Sequence, residues 1–134
     1  MYLLKQIISA LIFLVLFSSC KQSPLAESLS DSNKLIIHFI EWGNVVKTVT
    51  TDDKAAIKKM IYAFDKGEAK QVSCDITGKM IFFKDDEELQ QVEFSTIPDC
   101  RYFIYNFEGK NETSAMTNET ANFLQSVKGG LDFY

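Results

Sequence analysis

The run Leu35-Ile36-Ile37-His38-Phe39-Ile40-Glu41-Trp42, followed by Gly43-Asn44 and then Val45-Val46-Lys47-Thr48-Val49-Thr50, decides the fold class. Both arms are dense in β-branched and aromatic residues, which suit a pleated, half-buried surface. Gly-Asn between two such arms is turn chemistry, so the stretch reads as a tight antiparallel hairpin. Directly after it, Thr51-Asp52-Asp53 supplies capping oxygens and acids for the positive end of a helix dipole. Ile57, Ile61 and Phe64 then recur at helical spacing, joined by Met60. That spacing predicts an amphipathic helix over about Asp53 to Lys66, with Gly67 as its stop.

Further along, strand signals dominate. Val72 to Lys84 is strand-like, with a break near Gly78, and Asp85-Asp86-Glu87-Glu88 reads as a charged hairpin tip. Leu89 to Ser95 alternates, Ile97-Pro98-Asp99 turns because proline cannot continue a central ladder, and Arg101 to Glu108 is strongly strand-like. Gly109-Lys110-Asn111 turns again before a short strand from Glu112 to Met116. Thr117 caps a second helix carrying Ala121, Phe123, Leu124 and Val127, which Gly129-Gly130 ends. The predicted order is ββα-βββ(β)-α. It is an α+β domain, with two helices on an antiparallel sheet of about five or six strands.

Working outward to the N-terminus, one cation, Lys5, precedes an eleven-residue run from Ile7 to Phe17 that only Ser9 interrupts. The run fits the apolar part of a signal peptide and is too short to span a hydrocarbon core of about 30 Å. Phe17-Ser18-Ser19-Cys20 follows. This boundary resembles the lipobox of bacterial lipoproteins, in the looser pattern of Bacteroidetes-type members, with Phe17 where leucine is usual. Small residues at Ser18 and Ser19 suit a narrow peptidase cleft, and a thiol is nucleophilic enough to take a lipid. The resemblance implies acylation (a palmitate-type modification) on Cys20, cleavage before it, and anchoring in the outer membrane or at the cell surface. More than one acyl chain is needed for a stable hold. The implied organisation is a signal peptide over 1–19, a lipidated flexible tether over 20–33 and a single domain over 34–134. The tether reading rests on the Ser-rich, aperiodic composition from Lys21 to Asn33.

The chain carries a formal charge of −4, and losing Lys5 makes the mature part more acidic. No Lys/Arg cluster interleaves with its aromatics, which argues against nucleic acid as a partner, because phosphate neutralisation supplies most of that affinity. With Cys20 assigned to lipid, Cys74 and Cys100 are left as a pair in an oxidising compartment, where a disulfide is the default. If each begins a strand of one meander, those strands are next-but-one neighbours. The preceding loops must then curl together to bring the sulfurs into range. The spacing is not Cys-x-x-Cys, and Arg101 is the only adjacent base, so a redox-active pair is disfavoured.

No residue set presents itself for catalysis, a metal or a cofactor. His38 is the sole histidine, and no serine or cysteine motif points to it. The acids from Asp85 to Glu88 lack the alternating oxygens and turning glycine of a calcium loop, and read as a solvated tip. Asn111-Glu112-Thr113 and Asn118-Glu119-Thr120 match glycosylation sequons by chance.

The most informative residues are apolar ones on both faces of a strand. Arg101 to Phe107 places Phe103, Tyr105 and Phe107 on one face and Tyr102 and Ile104 on the other. The first strand separates Ile36, Ile40 and Trp42 from Leu35, Ile37 and Phe39, and Met80 to Phe83 behaves alike. A sheet with helices on one side shows polar residues on its other side, so either helices cover both faces or one face is an interface. The interface reading places a protein partner or ligand on Trp42, Phe103, Tyr105 and Phe107. The function that follows is a membrane-anchored, non-enzymatic binding or inhibitor module of the cell envelope. The alternative is a small envelope enzyme, which would need a cleft gathering His38 with two or more carboxylates.

Overall fold

A computed structural model describes residues 23–70 and 73–133. The expected signal peptide and Cys20 lie outside these residues, as does Val72, the expected start of the third strand. The chain folds as α1 (Pro24–Ser28), β1 (Lys34–Glu41), β2 (Asn44–Thr51), α2 (Lys54–Tyr62), β3 (Gly78–Lys84), β4 (Glu87–Ile97), β5 (Cys100–Phe107), β6 (Lys110–Ala115) and α3 (Asn118–Lys128). The strands form one six-stranded sheet in the order β2-β1-β3-β4-β5-β6, each neighbour antiparallel. The α+β class and the ββα-ββββ-α order match the expectation, with one helix added at the front. The chain from β2 to β3 passes through α2, and β3 takes the free edge of β1.

Register explains how β1 sits between β2 and β3. Leu35, Ile37 and Phe39 face Thr51, Val49 and Lys47 of β2 on one side and Phe82, Met80 and Gly78 of β3 on the other. The first three are almost fully buried, as are Met80, Phe82, Val92, Phe94 and Phe103 from the neighbouring strands. These strand residues share one core with Ile57, Met60, Ile61, Leu124 and Val127, so the helices cover this face. Gly78 stands opposite Phe94, and a Cβ there would meet the Phe94 ring at 2.0 Å. The glycine is therefore a packing requirement, with the ring filling its missing side chain.

Each helix starts on a side-chain cap. Ser23, Asp53 and Thr117 accept from the backbone N–H of Ala26, Ala56 and Thr120 at 3.2, 3.0 and 3.1 Å. The far end of α3 lies over the β1–β2 edge. There Lys47 donates to the carbonyls of Val127 and Lys128 at 3.2 and 3.0 Å, placing a cation at the negative end of the helix. Lys128 also pairs with Glu41.

Three expectations are corrected. The segment from 23 to 33 is part of the domain and not a flexible tether. Pro24 and the Ser23 cap start a short helix, and Leu25, Ala26 and Leu29 are buried in the core. Serine content concealed three apolar residues spaced to share a face. Helix α2 ends at Tyr62, short of Lys66, because Phe64 leaves the helix to drop onto the sheet. Its ring meets Phe103 at 4.7 Å and Phe82 at 5.8 Å, both edge-on, and its carbonyl accepts from the Ser114 hydroxyl at 2.5 Å. The first hairpin turns at Trp42-Gly43, one residue earlier than expected. Both residues take positive φ, 53° and 76°, as a primed two-residue turn requires.

Candidate functional site

The four aromatics expected on one binding surface are not on one surface. Phe103 is buried in the core. Tyr105 and Phe107 lie on that same covered face, partly buried against the core towards β6. Trp42 sits in the β1–β2 turn with 97 % of its surface exposed, next to exposed Val45 and Val46. Val46 is the residue accommodated where the β1–β2 register shifts between Phe39 and Ile40. Trp42 and these valines make an apolar corner at one end of the hairpin.

The uncovered side of the sheet is the reverse of the strand face that holds Leu35, Ile37 and Phe39. Side chains alternate along a strand, so Ile36, His38 and Ile40 point to it from β1. Lys79, Ile81 and Phe83 do so from β3, and Ile104 from β5, all of them half-buried. Exposed Thr48, Thr50, Gln91 and Glu93 complete it. Register arranges these residues in rows across the strands. One row runs Thr50–Ile36–Ile81–Gln91, apolar at its centre. The next runs Thr48–His38–Lys79–Glu93–Ile104–Thr113 and crosses all six strands, a span of about 24 Å. A third pairs Lys34 with Phe83 and Phe83 with Glu88. Lys34 lays its ammonium 4.8 Å from the centre of the Phe83 ring and meets Asp86 at 2.8 Å. That hydrogen bond, with the ammonium charge, holds the Asp86 carboxyl below its ordinary value.

His38 reads as a positioned polar group on this face. Its Nδ1 lies 2.8 Å from the Thr48 hydroxyl. Glu93 stands in the same row with Lys79 between, roughly 10 Å away across two strand spacings. The Asp85-Asp86 pair makes a tight turn in which both residues take positive φ, and Asp85 is engaged by Asn33 at 2.9 Å. Among the described residues, no group of three or more His, Cys, Asp and Glu side chains is placed to hold a metal ion.

The loop before β3 closes one end of this face. Cys74 and Cys100 are joined, with Cα atoms 6.2 Å apart, so the loops do curl together. Tyr102 is buried beneath that loop and donates to the Cys74 carbonyl at 2.7 Å. Burial raises the Tyr102 phenol, and the charges of Glu93 and Asp75 add to the rise. The apolar side chains expected on both strand faces thus have two fates. Tyr102, beneath the disulfide-held loop, is covered, and those around Ile81 and Ile104 stay open. The signal for Ile36, Ile40 and Ile104 was present in the alternation; which side the helices take was not. No family model, curated protein or solved structure matches this chain.

Proposed function

We propose that this chain is a lipid-anchored protein of the bacterial cell envelope, acylated on Cys20, whose domain binds a protein partner through the uncovered sheet face. The observation that carries the binding reading is the set of partly exposed apolar side chains Ile36, Ile40, Ile81, Phe83 and Ile104 on a side that none of the described helices covers. Ile36, Ile81 and Phe83 adjoin across β1 and β3, and an apolar centre with a polar rim is the anatomy of a protein interface. Here Thr48, Thr50, Gln91 and Glu93 supply the rim. Trp42 extends the surface at the hairpin corner, where an aromatic suits a contact anchor. The competing enzyme reading asks for a cleft with His38 beside two carboxylates. Its imidazole instead pairs with Thr48 on an open sheet.

A photo-crosslinking residue placed at Ile81, Ile104 or Trp42 in envelope-resident protein tests the surface. One adduct of defined mass is expected from these positions and not from Asn122 or Ser126 on the helix layer. Ile36→Asp should remove it, with the fold retained. Equal adducts from both layers would overturn the site, and an adduct of twice the chain mass would replace the partner with a second copy. The anchor is tested separately: an acyl mass on the N-terminal peptide is expected, and Cys20→Ala should release the protein from membranes.

A further inference from the structure

Helix α1 shortens the leash between the lipid and the fold. Leu25, Ala26 and Leu29 are core residues, so the domain already includes Ser23 and the turn that follows it. Three residues beyond Cys20 reach at most about 11 Å, whatever their conformation. Resting on the anchoring proposed above, acylated Cys20 keeps the start of α1 against the headgroup layer.

One helical turn past Ser23, Ala26 lines an open groove of about 700 Å³ between the α1 segment and α2. Ile57 and Ile61 contribute apolar lining. Lys54 and Lys58 stand one turn apart on α2, and Lys84 enters from the β3–β4 end. Asp31 and Asp85 also line it, tied to Lys84 at 3.7 Å and to Asn33 at 2.9 Å, whereas Lys58 lies over the Tyr62 ring at 5.7 Å and Lys54 has no carboxylate partner among the described residues. Ser32 also lines the groove. It is more than nine-tenths buried, and its hydroxyl has no hydrogen-bond partner. An unpaired buried hydroxyl is costly to keep and is satisfied by an acceptor oxygen.

We infer that this groove takes the phosphate of an anionic phospholipid headgroup. Two ammonium groups without carboxylate partners and a hydroxyl without an acceptor suit an anion with several acceptor oxygens. The short leash selects a lipid over free phosphate, because it holds the groove at a surface dense in such groups. The apolar lining suits the glycerol and upper acyl region beside the phosphate. The overall charge of the chain is negative, so the attraction is local and acts within a screening length of about 8–10 Å.

Flotation of the chain from residue 21, which lacks the acylation site and keeps every described residue, tests the groove independently of the anchor. Vesicles of phosphatidylcholine alone and with phosphatidylglycerol are compared. At about fivefold per lysine near an anionic surface, partitioning onto the mixed vesicles should exceed that onto the neutral ones by roughly 25-fold. Lys54→Gln with Lys58→Gln should remove that preference, Ser32→Ala should weaken it, and Lys110→Gln on the distant β5–β6 turn should leave it intact. Equal partitioning onto both vesicles, or full preference in the double variant, overturns the proposal. So does the case in which inorganic phosphate alone shifts the Ser32 and Lys54 amide resonances while anionic vesicles do not bind. Absence of an acyl mass on the native protein would refute the anchor and leave the vesicle result to be read by itself.

Discussion

The two faces of the sheet are nearly matched in sequence and opposed in environment. Leu35, Ile37, Met80 and Phe82 on one side have no accessible surface, while Ile36 and Ile81, one residue away along the same strands, remain partly exposed. Residue type does not separate them, since isoleucine occurs on both. The difference comes from three helices on one side and, on the other, a single disulfide-held loop reaching only as far as Tyr102. An apolar strand face is thus a request for cover, and the helices answer it once.

Cutting the covered face carries the largest expected effect. Phe94→Ala empties the space that its ring fills above Gly78, and should cost about 3–5 kcal/mol in urea unfolding. The open face is the control. Ile81→Gln should change stability by no more than about 0.5 kcal/mol, as for ordinary surface substitutions. A loss at Ile81 approaching that at Phe94 would mean that the open face is covered in solution.

Next in size is the loop that closes one end of the open face. Replacing Cys74 and Cys100 together by serine should cost about 3 kcal/mol, from the freed loop entropy of the unfolded chain. The same change should speed hydrogen exchange around Tyr102 far more than around Ile81. Uniform exchange along both would show that the loop does not distinguish the two ends.

The α1 segment gives a third contrast. Leu29→Ala should lower stability by about 2 kcal/mol, since the residue is 1 % exposed within the core. A flexible tether would show no change, so a thermal melt separates the two descriptions.

The smallest effect is alkaline. Burial raises Tyr102 and Tyr105 above their ordinary value of 10.0, with Glu112 adding to the rise at Tyr105. An unfolded chain ionises these phenols first. Their contribution is therefore complete below pH 10 and fades as the pH climbs towards the raised folded values. The ultraviolet titration of tyrosinate in folded protein should show two phenols ionising late, and Tyr102→Phe should remove one of them. Two early transitions would place both rings in solvent.

Much of the fold was legible because local chemistry and tertiary structure agreed. The Asp53 and Thr117 caps, the strand from Arg101 and the cysteine pair needed only neighbouring residues or a count of thiols to be read. The binding surface was half legible. Alternation placed Phe103 and Ile104 on opposite faces, but reading Phe103 as exposed and Ile104 as incidental reversed their fates. Nothing within one strand records the side on which a helix will lie.

By itself, then, the sequence determined the strands, the two longer helices and their capping, and an excess of apolar strand faces over the helices available. These are consequences of side-chain period and backbone hydrogen bonding, which act within a few residues. Tertiary structure alone decided that β3 pairs with β1 and that the three described helices share one face. It also decided that Phe64 leaves α2 for Phe82 and Phe103, and that Leu25, Ala26 and Leu29 belong to the core. Burial is a property of pairs of surfaces, and the partner surface lies tens of residues away along the chain.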